Sequence, residues 1–437
     1  MKIEKQSSRL VTPSCETKPL TPSTCTIITL NPFDRAAGND HIPIIFAYKA
    51  PTPPNSAIER GLGLVLSDYR VWAGRLTDDE RAVVLNDKGV RFVEATAFCT
   101  LDEASPFKSN TQLWDLHPSV EDVEELMQAQ LTRFTCGSLV VGFTSNHMIA
   151  DGEATGRFLA AWGQATRGLL DYPVPIHDRA MLKPRDPLSI EFDHLGNEYM
   201  EKRLVKEFSW EGIVNQLRMQ KFHFSPDFLA KLKARASVRC PSGGGYSTYE
   251  SVVSHVWQKV TRARGASVGE EEISQVGISV NLRTRLVPPI PREYFGNMVL
   301  WAFPRTTVHE LLSQPLDRVA ALVHAAIAQV NDRYARSFVD FDALVEREGR
   351  WGELVPTGEV ESAVFCPNLE ASSWLWLPFD EMDFGSGGPD VFMPSFIPYD
   401  GDVVIVSPMK GKRGIDVYVC LFENIMPVFQ DIWHTLD

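Results

Sequence analysis

Residues 136–168, CGSLVVGFTSNHMIADGEATGRFLAAWGQATRG, constrain the fold more than any other stretch. They begin as a continuous apolar run that reads as a buried strand. They then break into a short polar loop carrying His147 and Asp151. Beyond it the text becomes helical, with Phe158, Leu159 and Trp162 on one side. Gly168 suits the C-terminal end of that helix. In mixed α/β folds, strand ends and the loops after them expose reactive groups. His147 at such a junction is therefore a candidate general base, although one histidine among ten is more often structural. Asp151 either caps the helix at its N-terminus or forms an ion pair that fixes the loop, and the two roles are compatible.

The rest of the chain alternates strand-like and helix-like text. Residues 42–50 (IPIIFAYKA) read as a strand and 54–74 as a helix with a proline-led start. Residues 81–96 read as two strands around Asn86-Asp87-Lys88-Gly89, a hairpin signal. Residues 121–134 (EDVEELMQAQLTRF) read as a helix. From 171 to about 221 the text is rich in proline and charge and has no clear period, which marks a crossover between domains. Beyond it Ser225 can cap a helix that opens with Pro226. A Gly-rich turn, PSGGGYSTYE, precedes a helix from about 248 to 264. Residues 273–285 read as a strand, and 308–336 as one long helix. The tail holds short strands in SSWLWLPF, VVIVSPM and IDVYVCLF. A chain of 437 residues, 44% of them apolar, has room for two or three domains. The expected division is an N-terminal domain over 1–185, a crossover over 186–221 and a C-terminal domain over 222–437. The class is mixed α/β with no regular βαβ succession and no internal repeat.

Formal charge is −13, from 43 Lys and Arg against 56 Asp and Glu. So acidic a chain is a poor generic partner for nucleic acid or an anionic membrane, and it is compatible with a cationic small molecule. The seven cysteines, Cys15, Cys25, Cys99, Cys136, Cys240, Cys366 and Cys420, are scattered and form no C-x-x-C pair. That argues against a disulfide framework and a structural zinc site. No secretory signal and no apolar run of membrane-span length is present, so a soluble, cytoplasmic protein without a metal is expected. There is no G-x-S-x-G elbow, no H-E-x-x-H and no G-x-x-x-x-G-K-[ST]. These absences favour a lone general base working between two bound substrates.

HMIADG at 147–152 and DFGSG at 383–387 resemble the two signature motifs, H-x-x-x-D-G and D-F-G-W-G, of the BAHD family of plant acyl-CoA-dependent acyltransferases. WAGRL (72–76), NDKGVRFVEA (86–95), STYESVVSHVW (247–257), VNLRTRLVPPIPREYFGN (280–297) and SSWLWLPFDEMDFG (372–385) follow the family's order. The resemblance thus covers nearly the whole chain. It implies a two-domain fold like chloramphenicol acetyltransferase, with mixed sheets flanked by helices and a channel between the domains. It implies that His147 is the general base and that Asp151 is structural, pairing with an arginine for which Arg283 is the candidate. Asp383 would hold the second motif by ion pairing, Phe384 would pack and Gly385 would turn. Ser247 and Thr248 resemble residues near the adenosine end of CoA, and Lys259 could meet its phosphates. On their own terms the first two are helix caps and Lys259 a solvated helix lysine. Acyl-CoA is then a co-substrate, no cofactor is held, and the protein is a monomer.

Two departures bear on substrate. The family tryptophan of the second motif is Ser386 here, so Ser386 or Ser372 is the candidate oxyanion donor. The arginine by which shikimate- and quinate-acylating relatives grip a carboxylate is Trp376. FDEMDFG instead gathers Asp380, Glu381 and Asp383. If this is a strand, Glu381 and Asp383 share a face, and a cationic acceptor is favoured; the alternative is a solvated acidic edge. Within the family the text is most similar to the grass agmatine and putrescine hydroxycinnamoyltransferases. An aliphatic amine acceptor anchored by Glu381 is therefore expected. The alternatives are an arylamine acceptor stacked on Trp374 and Trp376, an alcohol acceptor, or a non-catalytic family member.

Overall fold

The computed structural model describes residues 1–14, 27–104, 110–205, 212–240, 243–360, 366–408 and 410–436. Cys15, Cys25, part of the Gly-rich turn (Pro241 and Ser242) and the end of VVIVSPM (Met409) lie outside them. The chain forms two compact units. Unit 1 holds Met1–Lys183 together with Ile290–Met298 and Trp376–Phe396; unit 2 holds Pro184–Pro289, Val299–Leu375 and Ile397–Asp437. Two short stretches from far along the chain, one of them bearing DFGSG, thus cluster with the N-terminal half.

Unit 1 is built on a six-stranded mixed sheet. Its order is Ile3–Val11, Val90–Ala97, Met127–Phe134, Leu139–Asn146, His41–Tyr48 and Val391–Pro394. Val391–Pro394 closes one edge by antiparallel pairing, with Phe392 opposite Phe46. Helices Asn55–Leu66 and Gly152–Thr166 pack on each other, and the Trp162 indole N–H donates to the Ile58 carbonyl at 2.9 Å. Tyr69, Trp72, Phe158 and Phe295 form an edge-to-face aromatic cluster in this core.

Unit 2 carries a seven-stranded sheet. Its main order is Leu217–Phe224, Ile415–Phe422, Asp402–Val406, Leu369–Ser373, Ile273–Asn281 and Val299–Ala302. Leu369–Ser373 is parallel to both neighbours. Helix Thr248–Arg264 buries Val252, Val253, Val256, Trp257 and Val260, and the Trp257 indole donates to the Ser274 hydroxyl at 2.8 Å.

Several local expectations are overturned; SSWLWLPF is strand only at Ser372 and Ser373, the end of Leu369–Ser373. Residues 127–134 form a strand, not a helix. Met, Gln, Ala and Leu favour helices in isolation, but here the segment is the third strand of the sheet, where burial decides. Its Gln128 and Gln130 amides donate to the Ser119 and Asp115 carbonyls, both at 2.7 Å. The strands around Asn86–Gly89 do not form a hairpin. Ala82–Val84 pairs with Ile27–Thr29 and Arg75–Leu76, whereas Val90–Ala97 joins the large sheet. The turn docks instead on Arg70, which bonds both carboxylate oxygens of Asp87. The long helix divides into Val308–Ser313, Leu316–Gln329 and Asp332–Glu348, because Pro315 and the N-cap Asn331 interrupt it.

Candidate active site

The strand Leu139–Asn146 is buried along its whole length and delivers the chain to His147. The turn begins at once. The Asn146 side chain accepts from the Met148 N–H at 3.0 Å, and its carbonyl accepts from the Ile149 N–H at 3.2 Å. His147 donates its backbone N–H to the Asp40 carbonyl at 2.8 Å. The ring is half-buried. Its Nδ1 is buried and meets no hydrogen-bond partner among the described residues, whereas Nε2 is not so enclosed. Nε2 is therefore the more open of the two ring nitrogens.

Asp151 is the N-cap of Gly152–Thr166. One carboxylate oxygen accepts from the Ala154 N–H at 3.0 Å and the other from the Met298 N–H at 2.9 Å. The cap thus lies four residues after the histidine, the helix starts at the next residue, and both are tied to the Ile290–Met298 stretch. That stretch holds the loop a second time. The Asn297 side chain donates to the His147 carbonyl at 2.8 Å and to Asp34 at 3.0 Å, and its backbone N–H reaches the same Asp34 oxygen at 2.9 Å. Asp34 also forms an ion pair with Arg179, and Arg179 donates to the Ile149 carbonyl at 2.8 Å. Burial works against the Arg179 charge, but the Asp34, Tyr294 and Asp151 groups around it hold its pKa above the ordinary value. Asp34, Arg179 and Asn297 are all buried, and sequence reasoning assigned them no role. The signals available were the capping box Asn31–Asp34 and the YFGN text at 294–297.

The second motif docks on the same helix. One oxygen of Asp383 accepts from the Gly385 and Gly387 N–H groups at 2.7 and 2.8 Å, and the other pairs with Arg167 at 3.0 Å. Gly385 has φ +121°, a conformation that suits glycine. Phe384 is buried between Tyr48 and Trp162. The helix receives this segment along glycines. A Cβ at Gly156 would lie 2.7 Å from a Pro378 ring carbon, and one at Gly163 would lie 2.6 Å from the Asp383 backbone nitrogen. Backbone atoms cannot swing aside as side chains can. Gly163→Ala is therefore expected to lower stability by about 1–3 kcal/mol and to reduce turnover, read by thermal melting and steady-state kinetics. A variant as stable and active as the parent would show that this docking is slack.

The remaining candidates are spread. Glu381 and Asp383 do not lie on a strand: Pro378–Glu381 is a 3₁₀ turn started by Pro378, and Glu381 is exposed. Ser386 is exposed in unit 1, and Ser372 is half-buried on the Leu369–Ser373 strand of unit 2. Trp376 is 91% exposed, whereas Trp374 is half-buried in unit 2, its N–H bonded to the Ile405 carbonyl. Arg283 is buried in unit 2, where its backbone N–H donates to the Asn281 side chain at 3.0 Å. Ser247 caps Thr248–Arg264 in a reciprocal capping box with Glu250, and Thr248 is the first residue of that helix. Lys259 is not a solvated lysine. It is buried and donates to the Thr435 hydroxyl at 2.7 Å. Among the described residues no group of three His, Cys, Asp or Glu could hold a metal, and no helix is long and apolar enough to cross a membrane.

The site is thus a histidine at a strand end, its loop clamped by a buried ion pair and its following helix carrying the DFG turn. Residues 1–435 match the model described as the Transferase family, and the chain belongs to that family, the BAHD acyltransferases. Agmatine coumaroyltransferase-1 of Hordeum vulgare is 43% identical over the whole of both chains. Putrescine hydroxycinnamoyltransferase 3 of Oryza sativa subsp. japonica is 41% identical, again over the whole of both. Among solved structures, vinorine synthase has a TM-score of 0.75 at 22% identity, covering 98% of this chain and 96% of its own. That likeness speaks for the fold.

Proposed function

We propose that the protein transfers an aromatic, hydroxycinnamoyl-type acyl group from CoA to an aliphatic amine such as agmatine or putrescine. The observation that carries this reading is the end-to-end similarity, above 40%, to relatives named for those two acceptors. The His147 geometry supplies the chemistry. The neutral amine nitrogen attacks the thioester carbonyl, and Nε2 of His147 takes the proton that the nitrogen sheds. As the tetrahedral intermediate collapses, the C–S bond breaks and the CoA sulfur leaves, to be protonated as free thiol. An amide remains. An imidazole suits this task because its unperturbed pKa, about 6.5, lies near working pH. Ser372 or Ser386 donates to the oxyanion, and Ser247 and Thr248 lie near the CoA nucleotide. Acyl-CoA is a co-substrate, no cofactor is held, and the protein works as a cytoplasmic monomer.

Thiol release from coumaroyl-CoA with a panel of agmatine, putrescine, tyramine, tryptamine and shikimate tests the reading. The expected result is the highest kcat/KM with agmatine or putrescine. Turnover confined to an arylamine or to shikimate would overturn it.

A further inference from the structure

The cysteines are scattered along the sequence, but the fold brings two of them together in unit 1. Val90–Ala97 and Met127–Phe134 run side by side and parallel, and their last pair in register is Ala97 with Phe134. Two residues beyond each strand end stands a cysteine, Cys99 after the first and Cys136 after the second. Two hydrogen bonds hold these ends together. The Thr135 N–H donates to the Cys99 carbonyl at 3.1 Å, and the Leu101 N–H donates to the Cys136 sulfur at 3.4 Å. Neighbouring strands lie about 4.8 Å apart, and a disulfide joins Cα atoms about 4.4–6.8 Å apart. Both cysteines are free thiols. Cys136 also precedes Leu139–Asn146, at the end of that strand remote from His147.

The two thiols are not equivalent. Cys136 is the only exposed cysteine among the described residues. Its sulfur lies 3.3 Å from the Ser138 hydroxyl oxygen as well as accepting the Leu101 N–H. The Ser138 hydroxyl first, then the backbone N–H groups of Leu101 and Ser138, hold this thiol below its ordinary pKa. They favour the thiolate, which is the form that attacks an oxidant. Cys99 is half-buried, and burial, with the Glu103 charge adding to it, holds its thiol above the ordinary value. An exposed, ionisable sulfur thus stands beside a protonated one. Burial likewise raises the thiols of Cys366 and Cys420, which makes both poor competitors for an oxidant.

We propose that Cys136 is a peroxide-reactive thiol and Cys99 its resolving partner, so that a peroxide converts the pair into a reversible disulfide. The Cys136 thiolate attacks one oxygen of hydrogen peroxide. The O–O bond breaks, Cys136 becomes a sulfenic acid, and hydroxide leaves to take up the proton that the thiol shed. The Cys99 sulfur then attacks the Cys136 sulfur. The S–O bond breaks, the S–S bond forms, and the hydroxyl departs with the Cys99 proton as water. The two thiols have lost two electrons and two protons, and the peroxide has become two waters. A dithiol reverses the change by thiol–disulfide exchange. The bridge closes the chain from 99 to 136 into a loop and so restrains the unfolded state.

The test treats the folded full chain with hydrogen peroxide, caps the remaining thiols with N-ethylmaleimide and maps the peptides by mass spectrometry without reduction. The expected product is a peptide pair linked through Cys99 and Cys136, which dithiothreitol separates, and the bridged protein should melt higher than the reduced one. Cys99→Ser should strand Cys136 as a sulfenic acid that dimedone labels, whereas Cys136→Ser should leave Cys99 reduced. Ser138→Ala should slow bridging about 3-fold. The thiolate loses about one hydrogen bond, and the rise in its intrinsic nucleophilicity offsets part of that loss. The proposal is overturned if Cys136 oxidises no faster than the other cysteines, or if it bridges to one other than Cys99. A bridge that forms only in urea, or one that lowers the melting temperature, also overturns it, because the two thiols would then not be in position in the folded protein.

Discussion

Replacing His147 with alanine lowers kcat for amide formation by about 10³-fold, within the range typical of a lost general base, and leaves the melting temperature close to that of the parent. The geometry separates the two readouts. The imidazole Nδ1 has no hydrogen-bond partner among the described residues, so truncation orphans no buried group. The contacts that shape the loop come from the backbone of this residue. Its N–H donates to the Asp40 carbonyl and its own carbonyl accepts from Asn297. Alanine keeps both. Single-turnover formation of coumaroylagmatine and a thermal melt on the same preparation check the claim. Amide made at the parent rate would remove His147 from the chemistry. A variant that melts far below the parent would show that the ring is structural. Raising the pH should recover part of the lost rate, because the free amine fraction grows as pH approaches the amine pKa near 10 and less proton removal is left to a base.

The parts of this site that were legible in the sequence are those whose cause is local. Ser225 before Pro226, Ser247 before Glu250 and Asp151 before Ala154 are caps, and a cap is written within four residues of text. The strand ending at Asn146 was legible because apolar text that long has few other uses. What escaped is assembled across the chain. Asp34, Arg179 and Asn297 come from three separate segments, and nothing near any of them shows that they converge behind His147. Val391–Pro394 pairs with His41–Tyr48 across more than three hundred positions, which carries the DFG turn into unit 1. Met127–Phe134 misled because its residues favour a helix, while its place in the sheet follows from partners elsewhere.

Asp34→Ala is expected to destabilise the protein by about 3–5 kcal/mol, the usual effect of stranding one partner of a buried ion pair. Asp34 is wholly buried, and Arg179 is 5% exposed at its side chain, so water cannot replace the lost carboxylate. The loss spreads, because the same Asp34 oxygen also accepts from the backbone and side chain of Asn297. Asn297 would keep its bond to the His147 carbonyl but lose the group that aims its amide. Activity should therefore fall even below the melting transition, where the variant is still folded. The second change that isolates the cause is Arg179→Met. If the cost of Asp34→Ala is mainly a stranded guanidinium, the double variant will be more stable than Asp34→Ala alone by urea denaturation, despite carrying one more substitution. If the double variant is the weaker of the two, the carboxylate matters chiefly for Asn297 and the turn rather than for the arginine. Because Arg179 also donates to the Ile149 carbonyl, the double variant should regain stability without regaining full turnover: the charge is relieved, but one clamp on the His147 loop is gone.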